Sequence, residues 1–120
     1  MKEIIRNWMK QLCIEESPLE NISALNFGIF ESSNGYTLYL IGSCNYDADD
    51  GDWACNVDYT PKRKYLEIMI GKNMDSKTFL AEVTIIISNL LLESEIGKSL
   101  LFNHRIITIG FDDGDLYRIL

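Results

Sequence analysis

The sequence predicts an α+β fold: an antiparallel β-sheet packed by two helices, in the order α-β-β-β-β-α-β-β. Three observations predict it. Two segments repeat apolar residues at three- and four-residue spacing, one at the start and one in the second half. Short alternating apolar runs, bounded by turn residues, fill the rest. The 120 residues contain no internal repeat, low-complexity linker or composition break, so one domain spans residues 1–120.

The first helix is expected over residues 2–16, where Ile4, Ile5, Trp8, Met9 and Leu12 form the apolar stripe. Ser17-Pro18 ends it, because a residue before proline avoids the helical region. Leu25 to Glu31 reads as a strand with Leu25, Phe27 and Ile29 on one face. Ser32 to Gly35 (SSNG) is a hairpin turn, since Asn-Gly readily takes positive φ. Tyr36 to Gly42 returns as the second strand, Leu38 and Leu40 alternating with Tyr39 and Ile41. An acidic segment follows, and Ala54 to Tyr59 is expected to leave it as a third strand. Pro61 to Lys64 (PKRK) resembles a short nucleic-acid or localisation patch but in a chain this acidic reads as a solvated basic turn able to neutralise Asp58, and Tyr65 to Gly71 is a fourth strand. Asp75 or Ser76 caps a long helix over 76–95 with Phe79, Val83, Ile86, Ile87, Leu90 and Leu91 as its stripe, ended by Gly97. Arg105 to Phe111 and Asp115 to Leu120 close the chain as a hairpin around Asp112-Asp113-Gly114-Asp115.

Composition narrows the function. The formal net charge is −7, which argues against nucleic acid, because phosphate binding needs a basic patch. The same field repels an anionic membrane surface and speeds encounter with a basic protein. The apolar region from Val83 to Leu92 is broken by Thr84, Ser88 and Asn89 and is too short for a membrane span. Cys13, Cys44 and Cys55 give an odd count without CxxC spacing, as expected of reduced thiols in the cytoplasm. The N-terminus lacks the apolar core and cleavage site of a signal peptide.

The segment Asn45 to Tyr59, NYDADDGDWACNVDY, concentrates the charge: Asp47, Asp49, Asp50, Asp52 and Asp58, with no basic residue. A calcium loop of EF-hand type fails on spacing. With Asp47 at position one, Gly51 falls at five and Asp58 at twelve, where the pattern needs glycine at six and glutamate at twelve. No metal and no cofactor are therefore expected. The alternatives are a solvated loop with Asx-turns and a docking surface for a basic partner. Trp53 is either a core residue or an exposed anchor of that surface. Asp112, Asp113 and Asp115 make a second acidic turn, which gains meaning only if the fold brings it beside the first. No catalytic signature is present. His104, the single histidine, could pair with Cys44 or Cys55 as a nucleophilic couple, but a structural role at a helix-to-strand junction is the simpler reading.

The run DGDWACNVDYTPKRKYLEI, residues 50–68, resembles small bacterial immunity proteins of polymorphic-toxin and contact-dependent-inhibition systems. The resemblance implies a cytoplasmic, non-enzymatic inhibitor whose partner is a cognate toxin domain. Acidic loops suit a basic, nuclease-type toxin, because they can occupy the place where it holds phosphates. The expected contacts are Asp47, Asp49, Asp50, Asp52, Trp53 and Asp58, with Asp112, Asp113 and Asp115 as a second region. The competing readings are a small acidic adaptor or structural interaction protein without a toxin partner and a small enzyme using His104 with nearby carboxylates.

Overall fold

The computed structural model describes residues 1–18, 20–70 and 74–120. Helix α1 runs Lys2–Glu15, and the hairpin β1 (Ala24–Ser32) and β2 (Gly35–Ser43) follows. A 3₁₀ turn spans Gly51–Cys55, and β3 covers Tyr65–Met69. Helix α2 runs Ser76–Leu91, a single turn α3 spans Ser94–Gly97, and β4 (Ile106–Phe111) and β5 (Tyr117–Arg118) complete the order. The expected end of β3 at Gly71 lies outside the described residues.

The five strands lie in the order β3-β2-β1-β4-β5. Three of the four pairings are antiparallel, but β1 and β4 are parallel, so the sheet is mixed and not the purely antiparallel one expected. The reason is the route of the chain. β3 runs parallel to β1, because each is antiparallel to β2. Helix α2 then carries the chain across the sheet from the β3 edge, which lets β4 re-enter beside β1 in the same direction.

Register sets which side chains share a face. Phe27 stands opposite Leu40 and Ile109, and Ile29 opposite Leu38 and Phe111. Tyr36 stands opposite Ile68, so this face is apolar across four strands. The helices cover it. Ile5, Trp8, Met9 and Leu12 of α1 are buried, as are Phe79, Val83, Ile87, Leu90 and Leu91 of α2. Ile4, placed on the α1 stripe by its spacing, is instead exposed. Aromatic contacts knit the layers: Trp8 meets Phe27 edge-on at 6.0 Å, and Tyr36 stacks on Phe79 at 4.1 Å. The Tyr36 hydroxyl donates to the Met74 carbonyl at 3.0 Å, fixing the approach to α2.

Local chemistry explains several boundaries. Asp75 caps α2 by accepting from the Thr78 N–H at 2.8 Å. The helix expected over 76–95 stops at Leu91, and α3 is a separate turn after it. The tight turn between β1 and β2 is Ser33-Asn34, and Asn34 does not take positive φ; Gly35 does, as the first residue of β2. A side chain at Gly35 would stand 2.1 Å from the Ile68 carbonyl oxygen. The third strand expected over 54–59 is absent. A 3₁₀ turn replaces its start, and only an isolated bridge between Tyr59 and Gly42 keeps its end.

The basic turn also acts elsewhere than expected. Arg63 Nε donates to Glu15 at 2.5 Å, and the Lys62 N–H donates to Glu16 at 3.2 Å. Both acids sit at the C-terminal end of α1, where the helix dipole disfavours negative charge, so the turn offsets that end and not Asp58. Arg6 completes the frame with a two-pronged bond to Glu93, at 2.7 and 3.1 Å, tying α1 to the end of α2.

Candidate functional site

The sheet face away from α1 and α2 carries the site. On it Gly28 lies between Tyr39 of β2 and Gly110 of β4. The two glycines leave a trough. A Cβ at Gly28 would fall 2.0 Å from the Tyr39 ring, so the tyrosine lies flat across β1 where any other residue would push it off. Its hydroxyl donates to Asp112, beyond β1, at the end of β4. Burial, then this bond, raises the Tyr39 hydroxyl well above the ordinary tyrosine range. A Cβ at Gly110 would meet the Asp115 carbonyl oxygen at 2.3 Å, so the closing hairpin folds down onto the same trough.

The acidic segment closes the trough from the other side. Asp58 anchors its base: the carboxylate accepts from the Cys44 N–H at 2.8 Å and the Ser43 hydroxyl at 3.3 Å. The Cys44 bond is the main reason the Asp58 carboxyl is held below the usual range. Two Asx-turns shape the loop, the Asp49 N–H donating to Asp47 and the Asp52 N–H to Asp50. Trp53 is 7% exposed, a buried residue and not a protruding anchor, and Tyr46 packs edge-on against it at 5.4 Å. Gly51 lies against Leu116 of the closing hairpin, so the segment and the second acidic turn touch.

Together they enclose a cavity of about 670 Å³. Asp47, Asp49, Asp52, Asp112 and Asp115 line it, with Arg118 as the cation in the lining. Tyr39, Tyr46 and Trp53 supply aromatic walls, Asn26 and Thr108 line the sheet side, and Phe111, whose ring packs against Tyr36 on the helix-covered face, borders the cavity at the end of β4. The fold thus brings together six of the nine expected contact residues. Asp50 is exposed and caps the 3₁₀ turn, Asp58 serves the loop base, and Asp113 faces a neighbouring depression with Phe30 and Glu31. Asn26, Thr108 and Tyr39 were missed. Asn26 interrupts the otherwise apolar run from Ala24 to Phe30, and that out-of-place amide was the available signal.

Beside the cavity, Phe30, Tyr39 and Tyr65 cluster on the same face, with ring centroids 6.1 to 6.3 Å apart. Phe30 is 36% and Tyr65 55% exposed. Lys64 extends over the Tyr39 and Tyr65 rings. Through Tyr39 this partly exposed aromatic cluster borders the acidic cavity.

Other candidates do not assemble. No group of three metal-ligating side chains converges among the described residues. His104 is exposed at a left-handed position, φ 61°, and no hydrogen bond links it to a cysteine among the described residues. All three cysteines are free, and burial pushes the Cys13 and Cys44 thiols up, away from the thiolate a nucleophile needs. No described helix is long and apolar enough to cross a membrane. Comparisons with protein-family models, curated proteins and solved structures give no match.

Proposed function

We propose that the chain is an immunity-type inhibitor that binds and neutralises a basic, nuclease-type toxin domain in the cytoplasm of its producer. One observation carries the reading: two acidic turns 60 residues apart, Asp52 and Asp112, meet around one cavity. Bringing like charges together costs free energy, and a basic partner recovers it on binding. The aromatic ledge of Phe30, Tyr39 and Tyr65 supplies the apolar contact that slows release.

The test is a growth challenge paired with a binding measurement, against basic, nuclease-type toxin domains of bacterial polymorphic-toxin systems. The protein should protect, and should bind the toxin one-to-one. Replacing Asp49, Asp50 and Asp52 together with Asn should weaken binding at least tenfold, since each buried charged contact contributes about 2–5 kcal/mol. Full protection and unchanged affinity in that variant, with a matching melting curve, would remove the acidic face from the mechanism.

A further inference from the structure

We infer that the cavity is a receptor for one arginine side chain presented by a basic protein partner. The inference rests on the reading of this face as a binder of a basic protein, and it names the group the cavity admits.

The argument starts at the sheet. Asn26 is 3% exposed, and its Oδ1 accepts from the Thr108 hydroxyl at 2.8 Å. No partner for its Nδ2 is found among the described residues, yet no fully buried side-chain polar atom lacks one. The amide nitrogen therefore reaches the cavity space. An amide at this depth favours a hydrogen-bonding neighbour, so the cavity end of Asn26 offers any occupant, water included, a fixed polar contact. The amide can serve donors as well as acceptors, because a half-turn gives Nδ2 to the Thr108 oxygen and turns Oδ1 to the cavity.

The walls select the occupant. Carboxylates of Asp47, Asp49, Asp52 and Asp115 stand around the rim without ion-pair partners among the described residues. They are too dispersed to converge on one ion. A guanidinium presents five donors in a plane, so it can meet several separated acceptors at once and stack on aromatic walls. An ammonium is a compact point charge and matches this spread less well. Tyr39 holds one side of Asp112 in place, which fixes that acceptor before the ligand arrives. Arg118 is already in the lining, but its Nε is taken by the Leu120 carbonyl at 3.2 Å. A partner side chain is favoured over a free small molecule because Tyr39, which lines the cavity, is in ring contact with the exposed Phe30 and Tyr65, so the rest of a protein surface has an apolar patch beside the cavity to pack on.

The experiment titrates N-acetyl-arginine amide into ¹⁵N-labelled protein. Saturable shifts are expected at the Asn26 side-chain amide, the Trp53 indole N–H and the Gly110 N–H. Binding should be at least fivefold tighter than for N-acetyl-citrulline amide, its neutral isostere, and tighter than for N-acetyl-lysine amide. Replacing Asp52 and Asp112 with Asn should weaken it at least fivefold, while Glu82→Gln on α2, which removes an exposed charge far from the cavity, should not. Melting curves confirm that each variant is folded. No shift at these three positions, or equal binding of arginine and citrulline, would overturn the inference. Free arginine binding more than tenfold tighter than the blocked form would make the cavity a small-molecule site and overturn it also. The titration needs no toxin, so the two readings separate. Failure here beside an intact, acid-dependent toxin complex refutes the arginine pocket alone. Success here in a chain that protects against no toxin refutes the immunity reading alone.

Discussion

Gly28 and Tyr39 show how single residues shape the open face. The ring lies where a Cβ at Gly28 would stand, so Gly28→Ala must lift it from the sheet and break its bond to Asp112. We expect a loss of about 1–3 kcal/mol in urea unfolding, the usual cost of overpacking. Tyr39→Phe keeps the ring and removes only the hydroxyl, so it should cost less and free Asp112. The tyrosines also set an alkaline limit. Tyr39, and Tyr59 bonded to Glu16, have hydroxyls raised above the ordinary range, first by burial and then by these carboxylates. A raised folded value means the stabilisation is complete below the unfolded tyrosine value, about 10, and is lost as pH rises past it. At the acid end the sign reverses. Asp58 and Asp75 are held low by backbone N–H groups, so what they contribute is present above about pH 4 and lost as pH falls further. Unfolding measured against pH should therefore show a plateau with losses at both ends, and a curve flat beyond pH 10.5 would contradict the tyrosine account.

At the scale of elements, the acidic segment behaves as a cover held at its base. Its Asx-turns use the side-chain oxygens of Asp47 and Asp50, and asparagine offers the same oxygen. The Asp49, Asp50 and Asp52 to Asn variant should therefore melt with the parent protein while losing affinity for a basic partner. Asp58→Ala is the contrasting case. It removes the acceptor for the Cys44 N–H, so amide exchange should quicken across residues 44–59 while the helices keep their protection. Helix α2 tests the other layer. Phe79 is fully buried and stacked on Tyr36, so Phe79→Ala should cost about 3–5 kcal/mol by loss of burial and a cavity. A cost below about 1 kcal/mol would mean that α2 is not the cover of the apolar face.

Across the whole molecule, charge and shape are divided between the two faces of one sheet. One face is closed by helices, and the other gathers five of the aspartates around an opening. The association rate with a basic partner should therefore fall steeply as salt rises from about 0.05 to 0.5 M, because the Debye length shortens from more than 10 Å to less than 5 Å. A salt-independent on-rate would remove electrostatic steering. Thiol counting after non-reducing denaturation should return all three cysteines, as the free thiols of Cys13, Cys44 and Cys55 require.

The sequence by itself determined the elements whose signals are local. Helical spacing marked α1 and α2, alternation marked β1 and β2, and Asp75 and the turn at Asp112 to Asp115 marked boundaries, because caps and periodicity depend only on near neighbours. It also determined the two acidic turns and the α+β class. Tertiary structure alone decided the parallel pairing of β1 with β4, since a strand buried on one face carries the same alternation whichever way its neighbour runs. It decided that residues 54–59 turn over the sheet to bury Trp53 and do not pair as a strand. It decided, above all, that Asp52 and Asp112 share one cavity with Asn26 and Tyr39. That meeting depends on strand order and on two glycines leaving room, and these are relations between residues far apart in the chain, which no local pattern encodes.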